Sequence, residues 1–114
     1  MIVKFLYKII NFILKELRVL EVKFSMLLNV IFAGTVQGVG FRKFVKDIAD
    51  KMGVKGFVRN LPDGTVEVVA EGDEELLRKF LEAIEKGPPL AEITHMAYEF
   101  RNKEGGFDKF EIEY

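Results

Sequence analysis

Apolar residues along this chain fall into two spacings, and the switches between them mark out the elements. Residues 27–33, LLNVIFA, form a short continuous apolar run of the kind a buried strand makes. In FRKFVKDIADKM the apolar positions recur every three or four residues. This puts Phe44, Val45, Ile48, Ala49 and Met52 on one helical face, and Gly53 follows as a left-handed stop. KGFVRN and GTVEVVAEG read as two strands around LPDG, whose Pro62, Asp63 and Gly64 carry turn chemistry, so the pair is a hairpin. Asp73 suits a helix N-cap, with Glu74 and Glu75 in the first turn. Leu76, Leu77, Phe80, Leu81 and Ile84 then give a second buried helical face, which Lys86, Gly87, Pro88 and Pro89 bring to a stop. EITHMAYEF alternates as a strand, and GFDKFEIEY alternates with Phe110, Ile112 and Tyr114 on one side.

The order is β-α-β-β-α-β with a short extra strand. Two helices on one face of an antiparallel sheet, a ferredoxin-like α+β sandwich, satisfy it most simply. A chain of 114 residues, nearly half of them apolar, suits one such domain with a real core.

Residues 1–25 lie outside this pattern. Lys4, Lys8, Asn11, Lys15 and Arg18 repeat at intervals of four, three, four and three, one polar stripe on an otherwise apolar helix. Charges interrupt every long apolar run, so a membrane span is not expected, and neither is a signal peptide; a cytoplasmic location is. Three readings stay open: a basic amphipathic helix on an anionic membrane surface, self-association, or a misassigned start before Met26, from which the chain would have 89 residues. The expected division is therefore an extension over 1–25 and a domain over 26–114.

Charge follows the same boundary. The first 25 residues hold five basic and two acidic side chains, net +3, and the remainder holds 12 and 16, net −4. An acidic body is a poor nucleic-acid binder, so no nucleic-acid partner is expected. KGFV opens like an RNA-recognition motif of the same element order, but RNLPDG turns where that motif needs stacking aromatics. There is no cysteine, hence no thiol nucleophile or disulfide. A single glutamine among 31% charged residues leans toward a thermophile.

The stretch with chemical content is GTVQGVGFR, Gly34 to Arg42, between the first strand and the first helix of the domain. A glycine-rich loop at a helix N-terminus presents N–H groups to an anion, and an arginine in the first turn can fork onto phosphate. The spacing fits neither a Walker loop nor a dinucleotide fingerprint, because Phe41, Arg42 and Lys43 stand where those motifs need other residues. An ordinary strand-to-helix turn is the bland alternative. Asn60 is likewise a natural hairpin residue when taken alone. His95, the one histidine, reads as structural or solvated, Arg59 and Lys43 as surface charges, and Gln37 as a loop-shaping amide.

Taken together, GTVQGVGFR and GFVRNLPDGTVEVVAEG resemble the acylphosphatase family, whose patterns G-x-V-Q-G-V-x-F/Y-R and G-F/Y/W-x-x-N-x-x-x-G-x-V-x5-G both match without a gap. The resemblance covers about residues 27–114. It implies hydrolysis of acyl phosphates, a small-molecule partner, and no metal or organic cofactor. It also implies that the Thr35–Arg42 loop (Val36, Gln37, Gly38, Val39, Gly40, Phe41 and Arg42) holds the phosphate, while Asn60 positions the attacking water. Hydrogenase maturation proteins carry a similar domain, but with zinc-finger cysteines downstream that this sequence lacks.

Overall fold

A computed structural model describes residues 2–16 and 24–114. Helix α1 spans Ile2–Glu16, strand β1 Met26–Thr35, helix α2 Phe41–Met52 and strand β2 Lys55–Asn60. Strand β3 (Val66–Gly72), helix α3 (Glu74–Ile84), strand β4 (Glu92–Arg101) and strand β5 (Phe110–Glu113) follow. The five strands form one sheet in the order β4-β1-β3-β2-β5. This is the expected α+β sandwich, with one added detail. The sheet is mixed, because β5 joins β2 in parallel while the other pairs are antiparallel.

Alternation decides which sheet face is covered. Met26, Leu28, Val30 and Phe32 of β1 are buried, as are Val66, Val68 and Ala70 of β3 and Val58 of β2. Phe41, Val45 and Ala49 of α2 and Leu77, Phe80, Leu81 and Ile84 of α3 complete the same core. Each of these side chains larger than alanine contributes about 1.5–3 kcal/mol by leaving water. The caps are as the sequence predicts: Gly53 is left-handed at φ 74°, and the Asp73 carboxylate accepts the Leu76 N–H at 3.0 Å.

The parallel strand follows from a crossover. Chain leaving β4 at one sheet edge traverses the end of the sheet over residues 102–109 before entering β5 at the opposite edge. Glu71 pins this crossing. Its carboxylate accepts the N–H groups of Gly105 at 2.6 Å, Gly106 at 3.3 Å and Phe107 at 2.9 Å, together with the Ser25 hydroxyl at 3.3 Å. Partial burial pushes the Glu71 carboxyl up, but these bonds to its charged form prevail and hold it below the usual carboxylate range. Because these N–H groups serve Glu71, strand pairing starts only at Phe110, and β5 is shorter than the alternating stretch suggests.

Helix α1 turns its polar stripe toward the domain. Lys4 Nζ lies 3.1 Å from Glu74 Oε2, Asn11 is buried, and Tyr7 meets Phe24 edge-on at 5.0 Å. Phe5, Phe12, Ile2, Val3 and Ile13 face outward instead. Lys8, also of the predicted stripe, is exposed, while the Lys15 side chain and Arg18 lie outside the described residues.

Candidate active site

Register brings the two motifs together. Val66 pairs with Phe32 on one side and with Asn60 on the other, so β1 ends and β2 ends at the same end of the sheet. The chain leaving β1 passes directly into the loop of residues 36–40 and then into α2. Asn60 shares strand parity with the buried Val58, so it points to the helix side, where α2 begins. Arg59 points the other way and pairs with Glu67 at 2.7 Å on the opposite face.

Phe41 fixes the start of α2. It is 2% exposed and its ring lies 4.8 Å from that of Phe32, centroid to centroid. Truncating such a ring costs about 3–5 kcal/mol, so Arg42, the next residue, projects from a rigid mount. Gly38 and Gly40 have φ of 73° and 80°, and nothing would crowd an added Cβ at either position. These glycines serve a left-handed backbone rather than tight packing. Gly40 is the N-cap of α2 and no side chain caps it, so the N–H groups of the first turn stay unclaimed from within the helix.

The result is a cavity of about 150 Å³ lined by Val36, Gly38, Gly40, Phe41, Arg42, Lys43, Asn60, Ile112 and Tyr114. Among the described residues Arg42 has no carboxylate partner; its guanidinium stacks on the Tyr114 ring at 4.9 Å. Asn60 makes no side-chain hydrogen bond among them either, so both its amide donors and its acceptor remain open. An unpaired guanidinium, an uncapped helix start and a free amide around one small hollow form a receptor for a compact anion and an ordered water.

Of the sequence-predicted loop residues, Val36 is buried beneath the hollow, Gly38, Gly40 and Phe41 line it, and Arg42 reaches into it. Val39 packs against the core. Gln37 turns away: its Nε2 donates to Leu61 O at 2.8 Å and Thr65 O at 2.9 Å. Lys43 lines the rim, although its ammonium pairs with Asp47 at 3.0 Å. His95 is exposed on β4, with its ring 3.2 Å from Thr94 Oγ1. Ile112 and Tyr114 are additions. Their shared face was visible in the alternation, but their place beside Arg42 depends on the parallel pairing of β5 with β2. A larger hollow of about 480 Å³ lies between α1 and α3, but its cations Lys8 and Arg78 are matched by Glu74 and Glu75, so it offers an anion no net positive charge.

The acylphosphatase family model matches residues 28–112. The chain belongs to the acylphosphatase family. An acylphosphatase of Bacillus licheniformis is 52% identical over 86 residues, spanning 75% of this chain and 96% of that relative. The crystal structure of acylphosphatase from Bacillus subtilis superposes with a TM-score of 0.75 at 40% identity, over 78% of this chain and 99% of that one. A structure of full-length HypF in a phosphate- and nucleotide-bound form matches with a TM-score of 0.74 at 31% identity. That match covers 82% of this chain but 12% of the HypF chain. In the acylphosphatase family, then, the cavity over Arg42 and Asn60 is the candidate active site.

Proposed function

We propose that this protein hydrolyses acyl phosphates to a carboxylate and inorganic phosphate in the cavity between the loop of residues 35–42 and Asn60. The observation that carries the reading is the Arg42 guanidinium beside an uncapped helix start, facing the Asn60 amide, neither side chain having an ion-pair or hydrogen-bond partner among the described residues. Arg42 and the loop N–H groups hold the phosphoryl oxygens. Asn60 orients a water whose oxygen attacks phosphorus as the bond from phosphorus to the carboxyl oxygen breaks. The electron pair leaves with the carboxylate, and a water proton passes to solvent. A carboxylate leaving group has a conjugate-acid pKa of roughly 4, so it departs at neutral pH without a general acid. What remains is positioning and stabilisation of charge on the equatorial oxygens, which these groups supply. Lys43 adds positive potential at the rim.

Hydrolysis of benzoyl phosphate in the presence of EDTA tests the reading. Turnover should persist, inorganic phosphate should inhibit competitively, and phosphate monoesters, whose alkoxide leaving groups need an acid or a metal, should react poorly. Activity lost with the chelator and restored by a divalent cation would overturn the mechanism.

We further propose that α1 seats the protein on an anionic membrane surface. No described helix is long and apolar enough to cross a bilayer. The outward side of α1 instead presents Phe5 at 64% and Phe12 at 67% exposure, on a segment of net charge +3. Apolar area facing the acyl boundary supplies the attraction, and the net charge of the segment adds a longer-range pull toward anionic headgroups, Lys4 itself being held by Glu74 on the domain side. Full-length protein should co-sediment with phosphatidylserine vesicles, and Phe5→Glu with Phe12→Glu should abolish this. Concentration-dependent dimers with no vesicle binding would assign the face to a second copy.

A further inference from the structure

Gln37 is the chain's one glutamine, and its side chain leaves the loop for the hairpin that carries Asn60. Both atoms it meets, Leu61 O and Thr65 O, are carbonyl oxygens, so the amide must present its nitrogen end, and both of its N–H donors are used. The two carbonyls belong to the turn itself. Thr65 O also accepts the Leu61 N–H at 2.9 Å, and Leu61 O accepts the Gly64 N–H at 3.1 Å. One side chain therefore clamps both ends of the turn that begins one residue after Asn60. The same residue sits in the loop, between Val36 and Gly38, which line the hollow.

No backbone ladder joins the loop to this turn. β1 and β2 do not pair; β3 lies between them. The distance between the anion cradle and Asn60 thus rests on the sheet below and on this amide above. With both donors committed to carbonyls, Gln37 has none left for substrate. We propose that Gln37 is a positioning residue that sets where Asn60 stands relative to Arg42, and so where the water stands relative to bound phosphate. This rests on the reading of Asn60 given above.

Gln37→Met keeps the size of the side chain and removes both donors. It should lower kcat on benzoyl phosphate about tenfold to a hundredfold, the penalty of misplacing one reacting partner by about an ångström. The inhibition constant for inorganic phosphate should stay within about twofold, because Arg42 and the loop N–H groups remain. Introduced into Asn60→Ala, the same change should lower kcat by less than about threefold, since residues acting through one another are not additive. Gln37→Asn, one methylene too short to reach the turn, should repeat the pattern and serves if the methionine variant does not fold. Gln37→Glu, which sets carboxylate oxygens against two carbonyls, should be the slowest. Equal losses of kcat in both backgrounds, a phosphate constant that rises in step with the loss, or a lowered urea midpoint with unchanged kcat would each overturn the proposal. Should Asn60→Ala alone turn over like the wild type, the assignment of the water to Asn60 fails first, and Gln37's role with it.

Discussion

Replacing Arg42 should separate activity from stability in a way few site residues allow. A guanidinium that forks onto a phosphoryl group makes two charge-assisted hydrogen bonds, each worth about 1.5–3 kcal/mol. Part of that is already present in the bound ground state. The transition-state share falls near the ~2.7–4 kcal/mol measured for single oxyanion donors, a factor of 10²–10³ in rate. Against this, Arg42 contributes little to folding. It has no carboxylate partner among the described residues that its loss would strand, and its guanidinium rests on the Tyr114 ring at 4.9 Å, a residue itself 99% exposed. An exposed cation–π contact is worth about 0.5–1 kcal/mol. Arg42→Ala should therefore lose 10²–10³ in kcat/KM for benzoyl phosphate while its stability in urea drops by no more than about 1 kcal/mol. Arg42→Lys should recover less than about a tenth of the lost activity, because an ammonium is a point charge without a fork. Stopped assays on freshly purified protein, with denaturation curves of the same samples, measure both quantities. A kcat/KM within threefold of wild type would remove Arg42 from the site, and a loss of activity matched by a loss of fold would make it a structural residue.

Asn60→Ala should lower kcat far more than it weakens competitive inhibition by phosphate; unchanged turnover in folded protein would leave Asn60 as a turn residue only. Glu71→Gln should destabilise the domain by about 1–3 kcal/mol at neutral pH, since it removes the charge that three N–H groups share. The folded Glu71 carboxyl is held below its unfolded value, so its contribution is present above the unfolded pKa and is lost as pH falls through the folded one. Urea curves of wild type and variant should accordingly converge in acid, and a gap that persists there would refute the assignment. A chain of residues 26–114 should fold and hydrolyse benzoyl phosphate at near the full-length rate, because every site residue lies within it; an unfolded or aggregated product would make α1 part of the core.

Local features were legible because local chemistry sets them. Residues 41–52 announce a helix through Val45, Ala49 and their neighbours, and Gly53 and Asp73 mark ends that depend only on nearby backbone. The hairpin around Pro62 to Gly64 reads in the same way. Partnership between strands is another matter. Alternation gave β5 its faces but not its neighbour, because that choice rests on a crossing whose N–H groups bind Glu71, 34 residues before Gly105. Tyr114 and Ile112 were missed at the site for this reason. Arg42 was a candidate phosphate ligand from its place in the first turn of the helix, whereas Asn60, a natural turn residue when taken alone, became a candidate only through the resemblance of two motifs. What brings their segments together, the pairing of Val66 with both Phe32 and Asn60 and the reach of Gln37 to the turn after Asn60, lies in register and in a side-chain rotamer, neither of which hydrophobic periodicity records. Helix α1 was legible as a helix with a polar stripe, but the stripe's turn toward Glu74 was not.

The crossing that places β5 beside β2 also fixes when the cavity comes into being. Its walls come from residues 36–43, from residue 60 and from residues 112–114, and the last of these reach it only after the chain has traversed the whole end of the sheet. Closing so long a loop is slow compared with forming α2 or the β2–β3 hairpin, which need only near neighbours. A refolding chain should regain its helical signal first, and competence to bind phosphate should wait for the outermost strand to dock. Hydrolysis then reports docking of this edge strand rather than formation of the loop that holds the anion alone, and any ligand bound there stabilises a pairing between distant parts of the chain.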